Sequence, residues 1–439
     1  MSAVPGSHQA LLARHHAVMP SWLALYYDEP IEIASGNGCR VTDAEGNQYL
    51  DFFAGILTNM LGYSIPEVNQ AMKEQIDAGV LHSSTLYLIR AQIELAERIA
   101  KLSKIPDAKV FFVNSGTEAN EAAMLLATQK RRSNQMLALR NSYHGRSFGA
   151  MAVTGNRGWS ASSLTPINTR FVHSGYRLRS PFKDYNDADF IDACVADLRD
   201  VLATQTSGDV AAMIAEPIQG VGGFATPPDG FFKAMKEVLD ESGILFISDE
   251  VQTGWGRTGE HFWGIEAHDI VPDAMTFAKG LGNGAAIGGV VGKPDFMDAI
   301  TAQSLSTFGG NPLATAAARA TLDYVIDHDL QQHAHKVGSY LMDGVKRIAD
   351  EVPTMIDVRG RGLMLAFEMG NPHDLTPDPA AAAQILQAAK DRGLLVGKGG
   401  LYGNVIRMAP PLTLSEDEAK EGLSVLADSI RAVTGGPDK

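Results

Sequence analysis

Short apolar runs alternate with helical stripes through the middle of this 439-residue chain. Between Lys109 and about Gly292 the runs KVFFV, QMLAL, VAAMIAEP, GILFISDE, AMTFA and IGGVVG read as buried strands. Segments between several of them, such as EANEAAMLLATQKRR and FFKAMKEVLDESG, read as helices. Such alternation predicts an α/β fold: a mostly parallel sheet covered by helices on both faces, with ligands at the carboxyl ends of the strands. Upstream, residues 35–60 alternate strand-like and turn-like signals (Asn37-Gly38, Glu45-Gly46) and predict a small meander. AQIELAERIAKLSK, from Ala91, sets Leu95, Ile99 and Leu102 at helical spacing. The C-terminal third mixes helices (KVGSYLMDGVKRIADEV, AAAAQILQAAKDRG, EDEAKEGLSVLADSI) with strands (GLMLAFEM, NVIRMAPPL). That pattern predicts a smaller α+β domain joined by the N-terminal meander.

One strand ends in unusual chemistry. GILFISDEVQTGWGRTG closes a buried run with Asp249 and Glu250, then spells G-x-G-x-x-G at Gly254, Gly256 and Gly259. A dinucleotide turn needs that motif directly between a strand and a helix. Here EHFWGIEAHDIVPD follows without a sustained helical stripe, and two acids precede the glycines where they would repel a phosphate. A structural loop is the better reading. GRSFG likewise matches G-x-S-x-G around Ser147, but RNSYH separates it from the strand QMLAL. A nucleophile elbow needs the strand to run straight into the first glycine. A serine hydrolase using Ser147 stands as an alternative.

A third combination draws on several segments. KVFFVNSGTEANEAAMLLA is a strand, a turn of small residues at Ser115-Gly116-Thr117, and an Ala-rich helix. Free N–H groups at such a helix start can hold an anion, although capping alone explains the same residues. AMTFAKGLGNG ends an apolar strand on Lys279, an expensive place for an ammonium group unless it snorkels out. A phosphate site, a carboxylate at one strand end and a lysine at the next together fit pyridoxal phosphate (PLP). The lysine bonds to the cofactor's aldehyde carbon once it has lost its proton, which burial assists. A carboxylate beside the pyridine nitrogen keeps the ring an electron sink, and an aromatic side chain can stack on its face.

On these residues the sequence resembles the class III, PLP-dependent aminotransferases of fold type I. The motifs NSGTEANEAA, YHGRSFG, EPIQG, DEVQTGWGRTG, TFAKGLGNG, STFGGNPLA and IRMAPPL occur in family order from about residue 40 to 430. The resemblance implies a large PLP-binding domain over 66–315, a small C-terminal domain over 316–439, and an N-terminal segment, 1–65, packing with the latter. It implies Lys279 as the Schiff-base lysine and proton carrier, and Asp249 as partner of the pyridine nitrogen. Val251 and Tyr143 would take the two ring faces, and Gln252 the phenolic oxygen. Ser115, Gly116 and Thr117 would hold the phosphate, and Glu216 would sit near the cofactor in a supporting role. Thr307 would reach the phosphate of a neighbouring subunit, which makes a homodimer part of the expectation. Arg407 would clamp the substrate carboxylate, with Ile56 and Tyr143 also at the substrate.

Departures from the family pattern bear on substrate. Where many members have GHxHP, this chain reads GYSIP, Gly62–Pro66. The position of Val221 in EPIQGVGG is usually Glu in the ornithine and 4-aminobutyrate branches, where it neutralises the carboxylate-binding arginine. Val221 cannot do so, which leaves Arg407 available in both half-reactions. With HFWG, LLVGKGG and STFGGNP, this resembles the alanine–glyoxylate and β-amino acid branch, whose pattern is shared with phospholyases and racemases. The resemblance therefore implies transfer of an amino group from an amino acid or a β- or ω-amine to a 2-oxo acid of the pyruvate or glyoxylate type. A racemase or phospholyase on the same scaffold is the alternative.

Composition changes little. A net charge of −14 argues against a nucleic-acid surface, and no run of about twenty apolar residues predicts a membrane span. Two cysteines, Cys39 and Cys194, offer no zinc spacing, and the N-terminus lacks the apolar region of a signal peptide. A reduced, cytoplasmic location is the expectation. His328, His333 and His335 in DHDLQQHAHK read as a solvated face rather than a metal site.

Overall fold

A computed structural model describes residues 8–435; residues 1–7 and 436–439, at the two ends of the expected domains, lie outside the described residues. The strands β1 (Ile33–Asn37), β2 (Arg40–Asp43) and β3 (Gln48–Asp51) form an antiparallel meander. It is shorter than the stretch the turn signals marked, because residues 54–57 leave it for a different conformation. The six apolar runs are all strands: β4 (Lys109–Val113), β5 (Gln135–Leu139), then, after an additional β6 (Asn168–Val172), β7 (Ala212–Ala215), β8 (Leu245–Asp249), β9 (Ala274–Phe277) and β10 (Gly288–Gly292). They make one sheet in the order β4-β10-β9-β8-β7-β5-β6. β10 runs antiparallel to both its neighbours and the other pairs are parallel. Strands β4, β5, β7, β8 and β9 therefore all end at one edge. The segments leaving that edge carry Ser115, Tyr143, Glu216, Asp249 and Lys279.

Helices cover the sheet as the periodicity predicts. Gly116–Arg131 is capped by Ser115, whose Oγ accepts the Glu118 N–H at 3.2 Å. Its buried face is largely small (Ala119, Ala123, Ala127), which lets the helix lie close on β9 and β10. Phe231–Glu241 buries Phe231, Phe232, Met235, Val238 and Leu239, each contributing at most about 1.5–3 kcal/mol.

In the C-terminal third, β11 (Met355–Arg361), β12 (Met364–Met369), β13 (Leu394–Leu395), β14 (Gly397–Gly399) and β15 (Val405–Met408) lie among the helices Leu330–Glu351, Pro379–Asp391 and Glu416–Thr434. Four of these strands form an antiparallel sheet, β11-β12-β15-β14. β13 instead pairs in parallel with β3, Leu394 opposite Leu50 and Leu395 opposite Asp51, which ties the N-terminal meander to the C-terminal third.

After β3 the chain makes one turn of left-handed helix. Ala54, Gly55, Ile56 and Leu57 have φ of 48°, 61°, 66° and 62°. Only glycine tolerates this freely; the others cost about 1–2 kcal/mol each. Asp51 helps hold the turn, its Oδ1 accepting the Phe53 and Ala54 N–H groups at 2.8 and 2.9 Å, while Tyr63 donates to Oδ2 at 2.7 Å.

Candidate active site

Residues following those five strand ends line a cavity of about 170 Å³. Asp249 closes β8 and is 4% exposed. Its Oδ2 accepts from Asn120 Nδ2 at 2.8 Å and lies 2.7 Å from His144 Nδ1, and its Oδ1 accepts the Val251 N–H at 3.1 Å. Asn120 is fixed in turn: Thr276 Oγ1 donates to its Oδ1 at 2.7 Å, and its Nδ2 also donates to the His144 carbonyl at 2.8 Å. The carboxylate is thus held in one orientation, with a side of the cavity to face.

Glu250, its neighbour, points elsewhere. Burial pushes its carboxyl up to about 7. Its oxygens accept the N–H groups of Gly264 and Ile265, both at 2.9 Å, and the Thr253 hydroxyl. It staples the loop that carries the three glycines. No α-helix opens directly after them, only a 3₁₀ turn at Gly264–His268; Arg257 Nη1 reaches the carbonyls of Leu363 and Pro410 at 3.1 and 2.8 Å, and a side chain at Gly259 would stand 2.7 Å from the Cα of His335. The loop packs on the C-terminal helices and is not a phosphate turn.

Lys279 follows β9 with φ of 45°, a left-handed conformation unfavourable to lysine. Among the described residues no hydrogen bond or ion pair ties its side chain down, and it lines the cavity. Burial pulls its ammonium down to about 8, against the opposing attraction of Asp249 and Glu216. Across the cavity the helix start leaves the N–H groups of Gly116 and Thr117 without intrahelical acceptors. A Cβ at Gly116 would stand 3.0 Å from Val251 Cγ1, so glycine is what lets the valine sit against the helix.

Tyr143 donates its N–H to Glu216 Oε1 at 2.9 Å and meets Trp159 edge-on at 5.4 Å. Burial raises its phenol above the ordinary range, and burial likewise raises the Glu216 carboxyl. Among the described residues, the Gln252 Oε1 and His144 Nε2 atoms are buried without partners. PLP fits these residues: a cup of free N–H groups, a held carboxylate, unsatisfied buried polar atoms and an untethered lysine.

The remaining expected residues lie outside this cavity. Arg407, on β15, is 5% exposed; its Nη1 donates to the Gly220 carbonyl at 3.0 Å and its Nη2 to Lys398 O at 2.9 Å. Its Nε is buried without a partner, and the rings of Phe53 and Phe224 lie 5.1 and 5.5 Å away. Burial lowers its pKa, and among the described residues no carboxylate pairs with it. Val221, in the neighbouring loop, supplies an apolar side chain and no acid to pair with Arg407, while Tyr26 and Glu216 attract the charge from nearby. Ile56, at the tip of the left-handed turn, is 49% exposed. Thr307 is exposed beside Phe308 and does not reach the cavity of its own chain.

Asn120 and His144, as the holders of Asp249, carried no signal of that role in the sequence. Tyr26 was missed altogether, although its ring stacks on Phe53 at 5.9 Å and so borders the Arg407 pocket.

Among the described residues Ser147 has no imidazole partner. Its hydroxyl donates to Glu121 and accepts the Ala150 N–H at 3.3 Å, capping the short helix Phe148–Ala152. The hydrolase alternative is thereby removed. Ser147→Ala is expected to cost about 1 kcal/mol of stability, the worth of a cap, and to keep turnover within about threefold, checked by thermal unfolding and steady-state kinetics. His333 Nε2 contacts the Leu414 carbonyl at 2.7 Å and His328 stacks on Tyr324, so two of the three clustered histidines are engaged locally.

With this geometry in place, the chain matches the family Aminotransferase class-III over residues 25–430, and it belongs to that family. It is a PLP-dependent transaminase of fold type I. Over 419 residues, 94% of this chain and 86% of the relative, it is 38% identical to alanine–glyoxylate aminotransferase 2 homolog 2, mitochondrial, of Arabidopsis thaliana. It is 33% identical to an alanine/serine racemase of Pyrococcus horikoshii, covering 93% of this chain and 87% of that one. The crystal structure of an amine transaminase from an uncultivated Pseudomonas species, in PLP-bound form, superposes with a TM-score of 0.87 at 30% identity, over 95% of this chain and 97% of that one.

Proposed function

We propose that this protein moves an amino group from an amino acid or a β- or ω-amine donor to a small 2-oxo acid of the pyruvate or glyoxylate type, with Lys279 as the Schiff-base lysine. The observation that carries the reading is the convergence of Lys279, Asp249 and the Ser115–Thr117 helix start on one cavity. Arg407, without a paired carboxylate among the described residues, lies close enough to perturb Lys279.

When bound, PLP supplies an electrophilic carbon for the donor's nitrogen and a ring that withdraws electrons. Ser115, Gly116 and Thr117 would hold its phosphate, Asp249 its pyridine nitrogen, and Gln252 its phenolic oxygen. Val251 and Tyr143 would flank the ring, with Glu216 behind Tyr143. Lys279, neutral above about pH 8, would take the proton from the substrate carbon that bears the nitrogen and deliver it to the carbon on the other side of that nitrogen. Arg407 would grip the substrate carboxylate with the guanidinium N–H donors that its bonds to the Gly220 and Lys398 carbonyls leave over. With valine at position 221, no acid competes for Arg407, so donor and acceptor bind the same way in both half-reactions. Ile56 and the aromatic side chain of Tyr143 bound the space for the donor's substituent.

The same reading makes the functional unit a homodimer in which Thr307 serves the other subunit's phosphate site; the exposure of Thr307 and Phe308 supports it. It divides the chain into 1–65, 66–315 and 316–439, and places it in the cytoplasm, supported by two buried, unpaired cysteines. Likeness to the Pyrococcus racemase favours a second reading, racemisation on the same residues.

A screen of α-, β- and ω-amino donors against pyruvate, glyoxylate and 2-oxoglutarate separates them. Oxo-acid-dependent loss of donor supports transfer. Racemisation or phosphate release without any oxo acid supports the racemase or phospholyase.

A further inference from the structure

The Glu216 carboxylate is 4% exposed and accepts two backbone N–H groups, from Tyr143 on Oε1 at 2.9 Å and from Gly220 on Oε2 at 2.8 Å. Gly220 passes the contact onward, because its carbonyl accepts Arg407 Nη1 at 3.0 Å. A Cβ at Gly220 would stand under 3.0 Å from the Gln252 amide, so this peptide lies directly against a side chain that lines the cavity. Its loop is closed on itself: the Gln219 N–H donates to Ala225 O at 3.0 Å and the Gly223 N–H to Gly220 O at 3.2 Å. A second arginine of the C-terminal sheet rests on the same loop, with Arg359 Nε donating to the Gly223 carbonyl at 2.9 Å.

We infer that Glu216 is a positioning residue for Arg407: by clamping the Gly220 peptide to the backbone of Tyr143, it sets the carboxylate-binding arginine at a fixed place relative to the cofactor cavity. The inference rests on the reading of Arg407 as the group that holds the substrate carboxylate. Glu216 acts through the loop and touches no reacting atom in this scheme.

Glu216→Gln is the direct test. An amide has one acceptor oxygen, so one of the two backbone N–H groups would face another donor and the clamp would open at one end. The readouts are two dissociation constants: that of propionate, an unreactive carboxylate, followed by its effect on the bound cofactor's absorbance, and that of PLP for the apoenzyme. Propionate binding is expected to weaken about tenfold, as for loss of one hydrogen bond to a charged group, while PLP binding changes less than about threefold. In an Arg407→Lys background, Glu216→Gln should add no further loss of propionate affinity. Unchanged propionate binding, equal weakening of propionate and PLP, or an additive loss in that background would each overturn the inference. Glu216→Asp, which keeps the charge on a shorter arm, should weaken propionate in the same selective way and serves if the amide variant folds poorly. Failure of the class reading looks different: the parent enzyme itself would transfer no amino group from any donor.

Discussion

Lys279→Ala is expected to slow aminotransfer by about 10⁴-fold or more while leaving the protein folded. The lysine is the untethered base of the cavity, and nothing else lining it combines a nucleophilic nitrogen with freedom to move. Asn120 and His144 are tied to Asp249, and Glu216 is tied to two backbone N–H groups. The alanine variant keeps the helix start at Ser115–Thr117, so it should still bind PLP without a covalent bond, giving a cofactor spectrum that borohydride no longer fixes to the protein.

The same lysine sets a pH dependence whose sign follows from its pKa of about 8 in the folded chain against an ordinary 10.5. Below 8 it is protonated and cannot attack, so capture of PLP by the apoenzyme should rise with pH through about 8 and then level. Between these two values the unfolded chain binds more protons than the folded one, so apoenzyme stability should rise with pH across that window. In Lys279→Ala that slope should disappear.

Asp249→Asn is expected to lower kcat/KM by about 10²–10³-fold, the scale of losing one preorganised electrostatic partner of a reacting group. Two features make Asp249 more than a nearby acid. Its Oδ2 is fixed by Asn120 and His144, and Asn120 is itself fixed by Thr276 on the adjacent strand. An asparagine can present only one acceptor oxygen, so it either faces Asn120 with its amide nitrogen or turns that nitrogen toward the cavity. Both outcomes remove the negative charge expected beside the pyridine nitrogen. The phosphate cup is untouched, so PLP affinity should fall far less than turnover. Equal loss of both would show that Asp249 anchors the cofactor rather than tuning it.

The strands were legible because each is a short apolar run bracketed by turn residues, and that signal is local. β6 was not, since Asn168, Thr169 and Arg170 make a polar edge strand with only Val172 buried. Nor was the pairing of β13 with β3, a contact between two residues far apart in the chain with no local trace. Lys279 and Asp249 stood out because a charged residue at the end of an apolar strand is rare, and the family resemblance gave the two a common purpose. Glu250 looks equivalent to Asp249 in sequence, and only the family resemblance singled out Asp249. Successive residues at a strand end point to opposite sides, so one acid meets the cavity and the other the loop behind it. Asn120 sits on a helix and reads as a cap or a solvent-facing polar residue until the helix is laid on the sheet. The left-handed turn at Ala54–Leu57 was hidden for a different reason: Ala, Ile and Leu favour other conformations, and nothing in their sequence marks that the Asp51 carboxylate caps the start of the turn.

The central claim is that the cavity passes an amino group from an amino donor to a 2-oxo acid by way of PLP. The most direct test mixes the purified holoenzyme with an amino donor in the absence of any oxo acid and follows the cofactor's visible absorbance, then adds pyruvate or glyoxylate. The account predicts one equivalent of oxo product per active site with conversion of the cofactor to its amine form, followed by full return of the original spectrum on addition of the oxo acid. Release of oxo acid or racemised donor beyond one equivalent with no lasting spectral change, or a spectrum that oxo acids fail to restore, would contradict it.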